Sequence, residues 1–528
     1  MTSWFKSFHA WCNRHEWIIF LLVLVLILRL PSLMMPHYYG DEEIYFVMGR
    51  AWASGVPLYQ AMFDHKPPLI YILAGIAPTM FAYRGVLTVL MMLHTVLFAK
   101  LAGLIWDKTK PIMKYASTLI FVALSTLPTF EGLTVNAELL MMIPVTGAVL
   151  LLWDTRANTR IRITRADTGV RQIARANTRI RQIARANTRI RPYKYLMAGL
   201  LGGIGWLFKI PVVFDMMAIG LYFFVFNKKT FKEGLSAILS WSFLAYGLAF
   251  VAPLAATFVY YYLKGTGPDY LGTVLTMNLG YVSSWSTSTY TFNPFRSGLV
   301  VRGTILGFFT LLLYLARKKI DKKLVFLSLW AGFSLFGALL SARPYPHYLQ
   351  EMVVPVSLLI PFVFVAENVL SWILIGSLVI AGIATQWKIQ FWGYPTISVY
   401  KTYWEYVTRK ISWDEYLARF NNAPLNYSAA KYLNERLTPS DTIYVWGTDA
   451  TIYNLTNKLP SGGKYIVSFH VRDLKKYDYV MENLNKSEPK YIVILPGAGE
   501  FDALMTMVAH DYVQVKEIGD INIYMRLN

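Results

Sequence analysis

Apolar runs of about 17 to 25 residues recur along the first three quarters of the chain, the length that crosses a bilayer core as a helix. They fall at 17–34, 85–106, 112–128, 137–153, 195–208, 211–226, 235–262, 299–316, 324–341, 352–366 and 369–385. This pattern predicts a polytopic α-helical membrane protein of about 11 spans. Beyond residue 385 the long runs stop. "DTIYVWG" (441–447), "KYIVIL" (490–495) and "YVQVKEIGDINIYMRL" (512–527) read as strands, with helical patterns at 427–437, 472–485 and 500–510 between them. The change of pattern divides the chain into a membrane part, 1–385, and a small α/β domain, 386–528, of ordinary domain size.

Lysine and arginine set the orientation. They gather in "WDKTKP" (106–111), in 156–191, in "NKKTFKE" (227–233) and in "RKKIDKK" (317–323). All four segments fall on the cytoplasmic side if the first span runs outward, which makes the opening loop and the α/β tail extracytoplasmic. Counting the apolar stretch 67–82 as a span would reverse all four, so it is expected to lie along the outer interface. Lys209 and Pro211 near the middle of 195–226 favour a hairpin of two spans with Lys209 at its outer tip. The first run follows Lys6 and Arg14 and has no small-residue cleavage site, as in a retained signal anchor.

Composition changes this picture in two places. The 528 residues carry a formal charge of +20, but "RANTRIR" occurs three times, and residues 156–191 hold eleven arginines against Asp167 alone. Half of the excess therefore belongs to one cytoplasmic insert, expected to lie on anionic lipid or to serve as a solvated linker. No aromatic residue interleaves these arginines, so nucleic acid is not an expected partner. The single cysteine, Cys12, provides neither a disulfide framework nor a thiolate metal cluster.

Polar residues converge on the outer face: Asp41, Glu42, Asp64, His65 and Lys66 in the first loop, Glu131, Asn136 and Glu138 at the next outer turn, Lys209, and Arg343, His347, Tyr348 and Glu351 in "ARPYPHYLQE" (342–351). Singly, each has a structural explanation. The carboxylates suit helix N-termini, and Lys66, His347 and Tyr348 suit the membrane interface. Together they suit chemistry on a lipid-linked phosphate at the bilayer edge. Cations offset charge on a departing phosphate, and a carboxylate takes the proton of an acceptor hydroxyl.

The D-E-x-x-Y pattern at Asp41, Glu42 and Tyr45, "GVPLYQAMFDHKPPL" (55–69), Glu138, "FKIP" (208–211) and "RPYPHYLQEMVVP" (343–355) resemble the GT-C membrane glycosyltransferases. The similar group includes the protein O-mannosyltransferases, the lipid A aminoarabinose transferases and the lipopolysaccharide-core galacturonosyltransferases. The resemblance covers about residues 17–385. It implies transfer of a sugar from a polyprenyl-phosphate donor to a lipid, glycan or protein acceptor on the outer face, usually with inversion. It makes Asp41 the catalytic aspartate, Glu42 its neighbour, and Lys66 the lysine at the donor phosphate. Lys209, Arg343, His347 and Tyr348 match phosphate or sugar contacts more loosely, with Tyr45, His65 and Glu138 as further site candidates. Some members hold a divalent metal, to which His65 and Glu138 could contribute, although no ligand spacing demands one. The alternative is a transporter or flippase of lipid-linked sugars, which calls for an internal repeat that the sequence does not show.

Overall fold

The computed structural model describes residues 3–77, 79–106, 110–165, 192–278 and 298–527, with side chains from residue 16 onward except 154–165. Side chains of the arginine-rich insert, 156–191, lie outside the described residues.

The apolar runs become helices: α1 (Ser3–Met34), α2 (Gly40–Ala53), α3 (Leu69–Ile76), α4 (Met80–Ile105), α5 (Pro111–Thr126), α6 (Ala137–Arg165), α7 (Pro192–Trp206), α8 (Val212–Leu221) and two further helical series, one between residues 231 and 276 and one between residues 298 and 389. Among the described residues, six helices are long and apolar enough to cross a membrane: Glu16–Met34, Met80–Ile105, Trp241–Leu263, Gly298–Ala316, Pro346–Phe364 and Val369–Ile389. Shorter apolar helices cover Pro111–Thr126, Ala137–Trp153 and Val212–Phe226. The run at 235–262 is two helices and not one. Phe231–Ile238 ends before Ser240, whose side chain accepts from the Phe243 N–H and starts Trp241–Leu263. Within 67–82, α3 has eight residues, about 12 Å of helix and too short to span. The break expected within 195–226 is present, with α7 ending at Trp206, α8 starting at Val212 and Lys209 in the turn between them.

Two features seat the first loop. Asp41, Glu42 and Glu43 occupy the first turn of α2, where the helix dipole favours negative charge. Farther along, α2 crosses α3 at Gly49 and Gly75, where a Cβ on Gly49 would lie 2.5 Å from the Gly75 nitrogen, so backbone meets backbone. The α3 N-terminus is pinned as well, the Leu69 N–H donating to the Leu207 carbonyl of the α7–α8 turn at 3.1 Å. The loop preceding α3 is therefore fixed against both α2 and that turn.

The tail forms a four-stranded sheet of β1 (Ile443–Trp446), β2 (Tyr491–Ile494), β3 (Tyr512–Ile518) and β4 (Ile521–Arg526), in the order β1-β2-β4-β3. The β1–β2 pair is parallel and the others antiparallel. The stretch read as one extended segment at 512–527 is a hairpin that turns at Gly519, where φ is +54°. Helices Ala423–Asn434, Tyr477–Ser487 and Asp502–Asp511 correspond to the three helical patterns of the tail. The Phe63 ring belongs to an apolar cluster that is otherwise made by tail residues such as Tyr444, Tyr465 and Val480. The Phe63 N–H donates to the Lys464 carbonyl at 2.9 Å. Arg50, on α2, reaches four tail acceptors: the Tyr453 and Lys458 carbonyls at 3.0 and 2.9 Å, Asn454 Oδ1 at 3.3 Å and Asn457 Oδ1 at 2.7 Å. Asn454 returns a bond to the Glu43 carboxylate at 2.6 Å.

Candidate active site

Asp41 projects from the first turn of α2 with its side chain 31% exposed. The Tyr45 hydroxyl, one helical turn on, donates to Asp41 Oδ2 at 2.9 Å. Lys66 Nζ lies 3.6 Å from the same oxygen and His347 Nε2 lies 4.0 Å away. The other oxygen, Oδ1, has no hydrogen-bond partner among the described residues. Burial pushes the Asp41 carboxyl up, but Lys66 and then His347 outweigh it and hold it below its ordinary value.

Lys66 is placed by its backbone. Its carbonyl accepts from the Tyr59 hydroxyl and its N–H donates to the Tyr71 oxygen, each at 3.0 Å. Its ammonium lies 3.7 Å from Asp64 Oδ2 and 4.7 Å from the centre of the Tyr45 ring. A lysine directly before two prolines is thereby turned inward, between two carboxylates.

The second half of the cluster comes from distant helices. Glu138, in the first turn of α6, is buried and pairs with Lys209 of the α7–α8 turn. Lys209 also lies over the Tyr348 ring, 4.2 Å from its centre. His347 bridges the two halves. Its Nε2 is 3.8 Å from Glu138, and its Nδ1 meets Glu131, which also accepts from the Tyr39 hydroxyl at 2.6 Å. Gln350 secures this segment by donating to the Leu124 and Phe130 carbonyls at 3.2 and 2.8 Å.

The structure thus brings Asp41, Tyr45, Lys66, Lys209, Glu138, His347 and Tyr348 together. It places Glu42 elsewhere. That carboxylate is wholly buried, takes Arg84 at 2.7 and 3.1 Å, and accepts the Val135 N–H at 2.6 Å. Arg343 is half-buried at the start of the same segment as His347, its backbone N–H 3.4 Å from Ser341 Oγ. His65 faces Asp64, with Nδ1 and Oδ1 3.0 Å apart. Among the described residues, those grouped with it as able to hold a metal are Asp64 and His470, and Glu138 is not in that group. Burial raises the Asp64 carboxyl, but Lys66 and His65 hold it well below its ordinary value, and burial pushes the His470 imidazole down to about 3.

Sequence reasoning passed over Tyr39, Arg84, Asp215 and His470. Asp215 and Arg29 carried a usable signal, a charge inside an apolar run, and Arg84 stands at the edge of one. Asp215, on α8, accepts from Trp330 Nε1 at 2.7 Å and Ser334 Oγ at 2.6 Å. Arg29, on α1, donates to the Gly132 carbonyl at 2.5 Å and so holds the turn that presents Glu131. His470 carried no such signal.

No family model matches the chain, and no curated protein matches it in sequence. Solved structures give a likeness of fold, in line with the fold that the resemblance implied. The chain is similar to ArnT from Cupriavidus metallidurans, solved bound to undecaprenyl phosphate, at 12% identity and a TM-score of 0.55, over 97% of this chain and 98% of that one. A second similar structure is the Archaeoglobus fulgidus oligosaccharyltransferase in the apo form, at 14% identity and a TM-score of 0.39, over 93% of this chain and 70% of that one.

Proposed function

We propose that the chain is a glycosyltransferase that moves a sugar from a polyprenyl-phosphate donor to a hydroxyl of a lipid, glycan or protein acceptor on the outer face of the membrane. The observation that carries this reading is the division of labour at Asp41. One oxygen is held by Tyr45 beside Lys66, and the other has no partner among the described residues. The fold adds support, since ArnT, over nearly its whole length, shares it and was solved with a polyprenyl phosphate.

In this reading Asp41 Oδ1 is the general base. It takes the acceptor's proton as the acceptor oxygen bonds to the anomeric carbon. The bond from that carbon to the phosphate oxygen breaks, and both electrons leave with the phosphate. A lipid phosphate departs as a stabilised anion, so no second carboxylic acid is required to protonate it, unlike in glycoside hydrolysis. Lys66 opposes the growing negative charge, with Lys209, Arg343 and His347 contributing at the phosphate or sugar. Tyr348 positions Lys209, and Tyr45 orients Asp41. Glu42 serves as the buried partner of Arg84, which fixes the start of α2. The region 386–528 forms the extracytoplasmic cover of the site.

The test is incubation of the purified protein with a panel of polyprenyl-phosphate sugars, with release of polyprenyl phosphate as the readout. Release with one donor and an acceptor is expected. Binding of donors without release from any of them would overturn the reading in favour of transport.

A further inference from the structure

We propose that Asp215 and Glu351 hold one proton between them, as a carboxylic acid bonded to a carboxylate, and that this pair positions Lys209 and His347 relative to each other at the donor phosphate.

The two side chains come from separate segments and meet inside the helix bundle. Asp215 stands in the first turn of α8 and Glu351 in the short helix Pro346–Met352, and both are wholly buried. Their carboxyl groups are in hydrogen-bonding contact with each other. Two carboxylates have no proton to donate and repel at that range, so the contact is attractive only when one O–H is present. Asp215 Oδ1 already accepts from Trp330 Nε1, a group that can only donate, at 2.7 Å and from Ser334 Oγ at 2.6 Å. These donors mark Asp215 as the accepting member of the pair and Glu351 as the one that carries the proton. Asp215 Oδ2 and Glu351 Oε1 are buried with no other donor among the described residues. Polar atoms enclosed in this way are costly unless the two groups satisfy each other.

The surrounding bundle is shaped for the acid. On the helix Lys322–Ala338, which carries Trp330 and Ser334, Gly337 faces Glu351 so closely that a Cβ there would collide with Oε1. One helix thus supplies both donors to Asp215 and the gap for Glu351. The charged and titratable groups facing the pair are Lys209 of the α7–α8 turn, Glu138 of α6 and Tyr246 of Trp241–Leu263.

The α7–α8 turn that holds Lys209 leads directly into α8, and His347 and Tyr348 precede Glu351 in the same short helix. The pair therefore ties the backbone carrying Lys209 to the backbone carrying Tyr348, whose ring centre lies 4.2 Å from the Lys209 ammonium. The positioning role rests on the reading of Lys209 and His347 as donor contacts, whereas the shared proton does not.

Infrared spectroscopy of the full-length protein in detergent at neutral pH should show the carbonyl stretch of a protonated carboxylic acid, shifted in heavy water. Glu351→Gln should remove this band, and Glu367→Gln, at an exposed position, should keep it. Glu351→Ala should bind polyprenyl phosphate about tenfold more weakly, with binding of the uncharged polyprenol unchanged, and Glu351→Gln, whose amide still donates to Asp215, should restore the affinity. Glu351→Met keeps the volume and reads the same loss if the alanine variant fails to fold. Wild-type protein without the band, or a Glu351→Gln protein that retains all of it, overturns the shared proton. Equal losses for both lipids in the alanine and methionine variants, or no loss, overturn the positioning role. The infrared readout uses neither donor nor turnover, so its failure and failure of the proposed activity are distinguishable.

Discussion

Arg84 and Glu42 form a doubly bonded ion pair, 2.7 Å at its shortest, with neither side chain exposed, one residue from Asp41 on the same helix. Adjacent carboxylates thus have separate roles, one facing the helix bundle and the other the site. Glu42→Gln leaves the buried Arg84 charge undercompensated and should destabilise the protein by about 3–5 kcal/mol. The measurement is thermal unfolding in detergent, with any loss of activity following the folded fraction. A variant that unfolds like wild type and yet is inactive would bring Glu42 into the chemistry.

Asp41→Asn keeps the size of the side chain and an oxygen for the Tyr45 hydroxyl, at a partly exposed position. Thermal stability and donor binding should be nearly unchanged, and turnover should fall by about 10²-fold or more. Turnover close to wild type would require another base.

Lys66→Ala and Arg343→Ala should weaken polyprenyl-phosphate binding and turnover together, by about tenfold or more for Lys66, which lies nearest Asp41. Binding of the uncharged polyprenol should barely change. Equal losses for both lipids would make the two cations structural.

The acid limb of activity separates Asp41 from His347. The Asp41 carboxyl is held below its unfolded value of about 3.9, so its stabilising contribution is complete above that value and is lost only as pH falls through the lower folded one. Between about pH 8 and 5 the base stays ionised, and any break in kcat/KM in that window belongs to a group such as histidine. His347→Gln should abolish such a break. A break of unchanged midpoint in this variant would assign it to a group other than His347.

Sidedness can be read from single cysteines in a Cys12→Ser background. Asp520 lies in the exposed β3–β4 turn, and Lys229 is exposed in the basic turn after Phe226. An impermeant maleimide should label Asp520→Cys on intact cells and Lys229→Cys only after the membrane is opened. The opposite pattern would place the Asp41 cluster in the cytoplasm and remove the basis for an outer-face reaction.

Chain proximity explains much of what was legible in the sequence. Asp41, Tyr45 and Lys66 lie within one loop and its flanking helix, so their approach required only local folding. The strands of the tail were legible from their period, and the α7–α8 break from Lys209 and Pro211. The break within 235–262 was hidden because continuous hydrophobicity masked Ser240, whose capping role is a single local bond. The meeting of His347 with Glu131, and of His470 with Asp64, depends on packing between segments hundreds of residues apart. Neither side chain sits in a pattern that names its partner. The opposite facing of Glu42 and Asp41 was likewise unreadable, because it rests on Arg84 arriving from α4.

Arg50 places its guanidinium on four acceptors of the tail while standing on the helix that begins with Asp41. Exchange of tails between related chains is therefore a demanding graft. A foreign tail lacking an acceptor cradle at the positions of Tyr453, Asn454, Asn457 and Lys458 would leave a charged side chain stranded at the junction, and the recipient would need a matched substitution at position 50. Tyr453 and Lys458 accept through backbone carbonyls, so variation is expected to be inherited as a block at Arg50, Asn454 and Asn457, even where the rest of the tail surface drifts.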